Sequence, residues 1–234
     1  MKTQTAAVHR VSRRFGLPAI TIKIEQPLVF TPGQYLAASS KSEQDVQIPL
    51  SLFMESSADN EISIGSPAPP NWYPGHEIVF RGPVGHGFAL PMMLKRLALI
   101  GFDDHPGRLM ALVNTAHNQN VDIVMAGDFI SNPVVTCDIP ANVELAKLEN
   151  LDDLFSWADF IAVDVPSFRI QELSRILQTT STKVTRGDMQ VLMHTSMPCA
   201  GIAECGICAV KTVKGYKLAC QDGPVFNLKD INSN

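Results

Sequence analysis

MPCAGIAECGICAVKTVKGYKLACQDGPVF, residues 197–226, holds four of the chain's five cysteines: Cys199, Cys205, Cys208 and Cys220. Their spacing is C-x5-C-x2-C-x11-C. Three thiols in so short a loop, with a fourth close behind, suit a chelate better than a pair of disulfides. The pattern is near the C-x4-C-x2-C spacing, with a later fourth cysteine, that holds a 2Fe–2S cluster. Gly201 and Gly206 let such a loop turn sharply and bring backbone N–H groups toward sulfur. Ala200, Ala203 and Ala209 leave room beside it. A structural zinc site also takes four cysteines, but usually as two tight pairs, and only Cys205/Cys208 is one here. Disulfides need an oxidising compartment, of which the chain carries no sign. On spacing alone the cluster is favoured, with zinc and disulfides as alternatives.

Working outward, the 234 residues are 45% hydrophobic, enough for one large domain or two to three small ones. A formal charge of −4 gives no footprint for nucleic acid. The opening MKTQTAAVHRVSRRFGL has basic residues but no apolar run behind them, so no signal peptide is expected. No stretch is long and apolar enough to span a membrane, and a soluble, cytoplasmic protein is expected. Cys137 stands alone and reads as a small apolar core or loop residue.

From about residue 4 to 90 the sequence reads as short alternating runs broken by turns. Thr5–Val11, Ala19–Glu25, Tyr35–Ala38, Val46–Phe53, Glu61–Ile64 and Glu77–Arg81 are the expected strands, at a spacing that predicts an antiparallel barrel or sandwich. Beyond residue 93 the texture changes. Leu97–Gly101, Val121–Ala126, Asp159–Val163 and Gln190–His194 are short apolar strands, alternating with helices expected over His105–Val113 and Ser167–Leu177. That alternation predicts a parallel α/β sheet. The expected order is an antiparallel β-barrel over 1–92, a nucleotide-binding-like α/β domain over 93–194 and a 2Fe–2S cysteine-loop domain over 195–234.

Barrel, small α/β domain and cysteine loop, in that order, resemble the ferredoxin–NADP reductase-like electron-transfer subunits, and among them the iron–sulfur/flavin subunit of class 1B dihydroorotate dehydrogenase. The tail carries the likeness best. Cys220 is followed, after Gln221, by Asp222-Gly223-Pro224-Val225-Phe226, which is similar to the family's signature. Thr31-Pro32-Gly33-Gln34-Tyr35 resembles its proline-glycine-glutamine turn, and Gly82-Pro83-Val84-Gly85-His86-Gly87-Phe88 resembles the glycine-rich segment beside the flavin. The first cysteine interval departs by one residue, five where the family usually has four. The resemblance implies that Cys199, Cys205, Cys208 and Cys220 hold a 2Fe–2S cluster. It also implies FAD as a second cofactor, with Pro49, Ser51, Gly82, Pro83, Gly85, Gly87 and Phe88 as its contacts.

The same alignment shows departures. The family's arginine-x-aromatic-serine flavin motif is Ile48-Pro49-Leu50-Ser51, without the arginine. Its phosphate clasp falls on Gly65-Ser66-Pro67-Ala68-Pro69-Pro70, and proline has no N–H to offer a phosphate. Arg81 is a candidate replacement cation, or a strand-end charge. The glycine-rich dinucleotide turn is Gly101-Phe102-Asp103-Asp104-His105-Pro106-Gly107, with two aspartates that would repel a phosphate, and the nicotinamide-side cysteine-glycine-proline motif is Asp164-Val165-Pro166. Weakened or lost NAD(P)H binding is therefore expected. His194 either approaches the cysteine loop or ends its strand; His86 faces a flavin or solvent; Trp72 and Tyr73 form a barrel lid or a partner contact; Asp152, Asp153 and Asp159 form a solvated face. The function expected is an electron-transfer subunit relaying electrons through a 2Fe–2S cluster, with FAD, to or from a dihydroorotate dehydrogenase-like catalytic flavoprotein subunit in a hetero-oligomer, a place in pyrimidine biosynthesis. The alternatives are an NAD(P)H-dependent flavin/iron–sulfur reductase and a non-catalytic scaffold with a structural cluster or zinc.

Overall fold

The computed structural model describes residues 3–42, 48–65, 67–179 and 189–231. Six strands close into an antiparallel barrel: β1 (Gln4–Arg14), β2 (Leu17–Lys23), β3 (Tyr35–Ser40), β4 (Leu50–Ala58), β5 (Glu61–Ile64) and β6 (Glu77–Val84), in the order β1-β2-β5-β4-β3-β6. Closure removes the exposed edges that strands of this length would otherwise carry. The inward positions, among them Val8, Ile20, Ile22, Leu36, Leu52, Met54, Ile62, Ile78 and Phe80, pack into one apolar core. β4 is displaced from the expected strand; Val46 and Gln47 lie outside the described residues.

The second half is a six-stranded sheet. Its parallel strands are β7 (Arg96–Gly101), β8 (Asp122–Gly127), β9 (Val143–Ala146), β10 (Phe160–Pro166) and β11 (Met189–His194), and the full order is β14-β11-β10-β7-β8-β9. β10 is buried at every position and β7 at all but Arg96, as continuous apolar runs covered on both faces must be. The helices are α1 (Met110–His117), α2 (Pro133–Thr136), α3 (Leu151–Trp157) and α4 (Ile170–Thr179). α1 begins later than expected because His105, preceding Pro106, is disfavoured in helical backbone; a 3-10 turn at Gly107–Leu109 leads into it. β9 and α3 had no clear signal in the sequence. β9 is four residues long with only Val143 buried. α3 buries Leu151, Leu154 and Phe155 and leaves Asp152 and Asp153 exposed in its first turn, where the helix dipole favours them. Asp159 is partly exposed and pairs with Arg96 at 2.7 Å.

The chain's end is woven into this sheet. A hairpin of β12 (Ala209–Thr212) and β13 (Gly215–Leu218) follows the cysteine loop, and β14 (Val225–Asn227) then pairs antiparallel with β11, Val191 opposite Phe226. The larger core is continuous across all three segments. It joins Phe15, Tyr35, Phe53, Val84 and Phe88 of the barrel side, the sheet, and Cys208, Val210 and Cys220. The cysteine loop is therefore anchored on two sides.

Candidate functional site

Leaving β11, the chain buries Met197 and enters the loop. Ala200, Gly201, Ala203 and Gly206 take left-handed backbone, φ 53, 78, 68 and 69. For the two alanines this costs roughly 1–2 kcal/mol each, strain that the surroundings must hold in place. The result is a tight coil whose N–H groups turn inward. Burial works against ionisation of Cys199, but the N–H groups of Ala203, Cys205 and Glu204 and the Cys205 thiol outweigh it and bring the Cys199 thiol down to about 6. The β12–β13 hairpin does the rest. Ala219 donates its N–H to the Cys208 carbonyl at 2.9 Å, setting Cys208 and Cys220 side by side, both buried. Burial, then the neighbouring Cys208 and Cys199 thiols, pushes Cys220 up to about 12.

All four sequence-predicted thiols are thus brought into one neighbourhood, Cys199 against Cys205 and Cys208 against Cys220, with Cys199 also beside Cys220. Among the described residues no group of three or more histidine, cysteine, aspartate or glutamate side chains is spaced to hold a single metal ion. Two thiol pairs with inward N–H groups fit a two-iron cluster, which takes four cysteines over two metals, better than the closed tetrahedron of structural zinc. A bound cluster supplies one-electron transfer; the chain supplies thiolates, N–H donors and burial. Cys205 is exposed and Cys208 and Cys220 are buried, so the site has an open and a closed side. Cys137, exposed in the described structure, takes no part; it is a loop residue at the end of α2, not a core one.

The three motifs that carried the resemblance meet beneath this loop. His86 donates its N–H to the Gly223 carbonyl at 2.5 Å, and Met193 donates its own to Pro224 at 2.9 Å. A Cβ at Gly85 (φ +79) would overlap the Gly223 carbonyl and sit 2.7 Å from Pro224. Gln34 donates to the Gly85 carbonyl at 2.8 Å, and Phe88 donates to the Pro32 carbonyl at 2.7 Å. Gly33 (φ +94) lies under Val225 and Phe88. Gly82 packs on Leu36 and Gly87 on Thr31 and Pro32, so the close approaches these glycines permit are to protein. Tyr35, fully buried on β3, points its hydroxyl at the Cys220 carbonyl, 3.4 Å away. Burial, then Cys220, Cys208 and Cys199, pushes the phenol well above its ordinary range, so it remains a donor. Sequence reasoning placed Tyr35 at the end of a turn motif and the start of a strand, and gave it no part beside the thiols. Arg81 donates from Nη2 to the Ala200 carbonyl in the cysteine loop, while its buried Nε has no partner.

On the far side of the barrel, Ser51 lines a groove of about 560 Å³ with Ile48, Leu50, Leu52, Pro67, Ala68 and Pro69; Pro49 is half-buried beside it. The lining is apolar, and no cationic side chain is among these residues. Arg14, a neighbouring cation, is paired with Glu55. The groove can take a flat apolar ring, but a flavin's diphosphate finds no charged partner among its lining residues. Trp72, buried and stacked on His76 at 5.6 Å, closes the barrel, while Tyr73 is exposed.

The dinucleotide turn holds an arrangement that the sequence did not reveal. Arg108 is 6% exposed and donates from Nε to both oxygens of Asp164, at 3.1 and 2.9 Å, and from Nη2 to Asp103; Asp164 is 0% exposed. Burial alone would raise the Asp103 carboxyl, but His194, Arg108 and the Asp104 N–H hold it well below the usual carboxylate range. His194 Nε2 lies 3.4 Å from Asp103, an ion-pair distance without hydrogen-bond alignment, and the atom is otherwise unpartnered. His194 thus faces Asp103. The two aspartates read as phosphate-repelling have different settings: Asp103 is paired with Arg108, and Asp104 is exposed.

A family model described as the iron–sulfur cluster binding domain of dihydroorotate dehydrogenase B matches residues 194–232. Two relatives are named as electron transfer subunits of dihydroorotate dehydrogenase B (NAD(+)). The one from Clostridium perfringens is 27% identical over 165 residues, covering 65% of this chain and 65% of that protein, slightly under two thirds of its length. The one from Clostridium acetobutylicum is 25% identical over 230 residues, covering 90% and 89%. Among solved structures, an NADH-dependent reduced ferredoxin-NADP oxidoreductase superposes with TM-score 0.71 at 14% identity, over 97% of this chain and 89% of that one. The ferredoxin reductase of carbazole 1,9a-dioxygenase gives 0.65 at 16%, over 82% and 69%. These two likenesses establish the fold.

Proposed function

We infer that this chain, a divergent member of the dihydroorotate dehydrogenase B electron transfer subunits, relays electrons through a 2Fe–2S cluster held by Cys199, Cys205, Cys208 and Cys220. The observation that carries the reading is the pairing of those four thiols around inward N–H groups, inside the segment that matches the cluster-binding family model. The partner is a dihydroorotate dehydrogenase-like catalytic flavoprotein subunit, and the two form a hetero-oligomer with its place in pyrimidine biosynthesis. The working division is a barrel over 1–92, an α/β domain over 93–194 and a cluster domain over 195–234. FAD is the second cofactor that the family implies. Ser51 beside its groove is the contact best supported by geometry; Pro49 stands next to it, and Gly82, Pro83, Gly85, Gly87 and Phe88 serve the join beneath the cysteine loop. No described helix is long and apolar enough to cross a membrane; the working compartment is the cytoplasm.

In this scheme the chain does no bond chemistry. Its residues place the cluster with one exposed edge at Cys205, exclude water from Cys208 and Cys220, and set potential through the N–H groups and burial. The test is anaerobic co-purification with the catalytic subunit, followed by iron, sulfide and flavin quantitation. About two irons and two sulfides per chain are expected. A colourless protein carrying one zinc would sink the relay.

A further inference from the structure

In an open parallel sheet, ligands enter the crevice at the carboxyl ends of the strands where the winding reverses. Here that point lies between β7 and β10, since β8 and β9 follow on one side and β11 on the other. Arg108, Asp103 and Asp164 stand in this crevice. We propose that the ion cluster closes it to a nicotinamide dinucleotide, and that the chain accepts electrons singly, from a one-electron carrier that reaches the cysteine loop, taking no hydride from NADH or NADPH. The proposal rests on the reading of that loop as an electron relay, and it separates this chain from relatives named as NAD(+) enzymes.

Four features of the crevice support it. The buried Arg108 guanidinium is spent, because it serves two carboxylates and leaves no donor charge for a diphosphate. His105, buried nearby, supplies no replacement: burial and then Arg108 lower its pKa, favouring the neutral ring. Helix N–H groups that could cradle phosphate are also engaged, Gly107 N–H by His105 Nδ1 at 3.2 Å and Leu109 N–H by the Pro106 carbonyl at 2.8 Å. Space is lacking as well. The Gly107 turn abuts the Gly65 carbonyl of the barrel so closely that neither glycine could carry a side chain. The cavity left there, lined by His105, Gly65, Arg14 and Glu55, is about 10 Å³, room for roughly one water. Finally, the neighbouring strand end is clamped. Arg169 donates to the Phe102 carbonyl at 2.5 Å and to Asp128 at 2.7 Å, and Phe129 lies across Gly101 and Gly127.

The proposed step balances. A nicotinamide delivers a hydride, two electrons with a proton, and requires a two-electron acceptor. The step proposed here removes one electron from a protein-bound or small redox carrier and places one on the cluster, with no bond to hydrogen formed or broken.

The test uses the full chain, purified anaerobically with its cluster. NADH and NADPH are titrated to about 1 mM while nicotinamide fluorescence and the visible spectrum are followed, and reduced methyl viologen is added in a parallel sample. Bleaching by the viologen, with no fluorescence change and no bleaching by either nicotinamide, is the expected result. Saturable binding of NADH or NADPH, or bleaching by either one, overturns the proposal whether or not the cluster is intact. A preparation lacking iron and sulfide, or one that the viologen fails to bleach, refutes the relay reading and with it the proposed one-electron step; the nicotinamide arm remains a separate readout of the crevice.

Discussion

Replacing Arg108 by methionine keeps most of the side chain's volume and removes its charge. Asp164 is then left 0% exposed and Asp103 27% exposed, with no guanidinium between them. Removing one partner of a buried ion pair costs about 3–5 kcal/mol, a large share of the ~5–15 kcal/mol that holds a folded domain together. For a chain of this size the loss corresponds to a fall in Tm of roughly 6–20 °C. The pH dependence is distinctive. The folded-state carboxyl of Asp103 is depressed, so in the wild type it contributes stability above the unfolded carboxylate value near 4, lost as pH falls through the lower folded value. The variant lacks that contribution. The gap between the two proteins is therefore widest near neutrality and narrows below about pH 4. Urea unfolding followed by tryptophan emission reads it, with Trp72 in the barrel and Trp157 beside the parallel sheet. Arg108→Lys, which keeps the charge and loses the fork, falls between. Equal midpoints at pH 7, to within about 0.5 kcal/mol, or a gap that widens on acidification, would refute the argument for a buried ionic cluster.

Cys208→Ser abolishes the visible cluster spectrum and lowers bound iron and sulfide, whereas Cys137→Ser, outside the site, leaves both unchanged; loss in both variants would misplace the ligands. Gly85→Ala forces a Cβ onto the Gly223 carbonyl in left-handed backbone and costs more than ~2 kcal/mol, seen as a lower Tm and faster cluster loss to a chelator. Gly206→Ala meets nothing within 4 Å at φ +69 and costs about 1–2 kcal/mol, so it is the milder of the two. Tyr35→Phe removes a buried donor beside the thiols; one hydrogen bond of about 0.5–1.5 kcal/mol corresponds to a cluster midpoint lower by roughly 20–60 mV in a one-electron titration, and an unchanged midpoint would confine Tyr35 to packing.

Barrel and sheet were legible because their strands follow two simple periodicities. A strand such as β5 alternates against a core, and Leu97–Gly101 reads as a continuous apolar run because both faces are covered. β9 was not legible, since a four-residue edge strand with one buried position leaves no period to read. β14 was hidden inside a motif that reads as a tail, yet it completes the sheet by pairing with β11. The thiols were legible from spacing, but their pairing depends on the hairpin that returns Cys220 to Cys208. Arg108 was opaque for a different reason. Its partners lie 5 and 56 positions away, on separate strand ends, and charges joined across such distances leave no local pattern.

The places where the chain agrees with its relatives and the places where it departs from them occupy different regions of the structure. Thr31–Tyr35, Gly82–Phe88 and Asp222–Phe226 converge through Gln34 on Gly85, Phe88 on Pro32 and His86 on Gly223, and Tyr35 reaches the last cysteine. They form one cradle, and its work is mechanical: it holds the strained coil that carries Cys199 and Cys205 against the hairpin that carries Cys208 and Cys220. Even the cation once considered for a phosphate, Arg81, is turned to a carbonyl of that coil. The departures lie elsewhere. Ile48 and Leu50 line the apolar groove, Gly65 is pressed on Gly107, and Asp103 with Asp164 surrounds Arg108. A reductase needs both regions, one to take a hydride and one to pass electrons outward. Under the proposed one-electron relay, residues that fill the other region cost nothing to a protein whose electrons arrive at the loop itself, provided that the barrel and sheet still pack. The continuous core beneath Tyr35, Val84, Phe88 and Cys220 meets that condition, so the barrel and sheet stand here as the frame on which the cysteine loop is held.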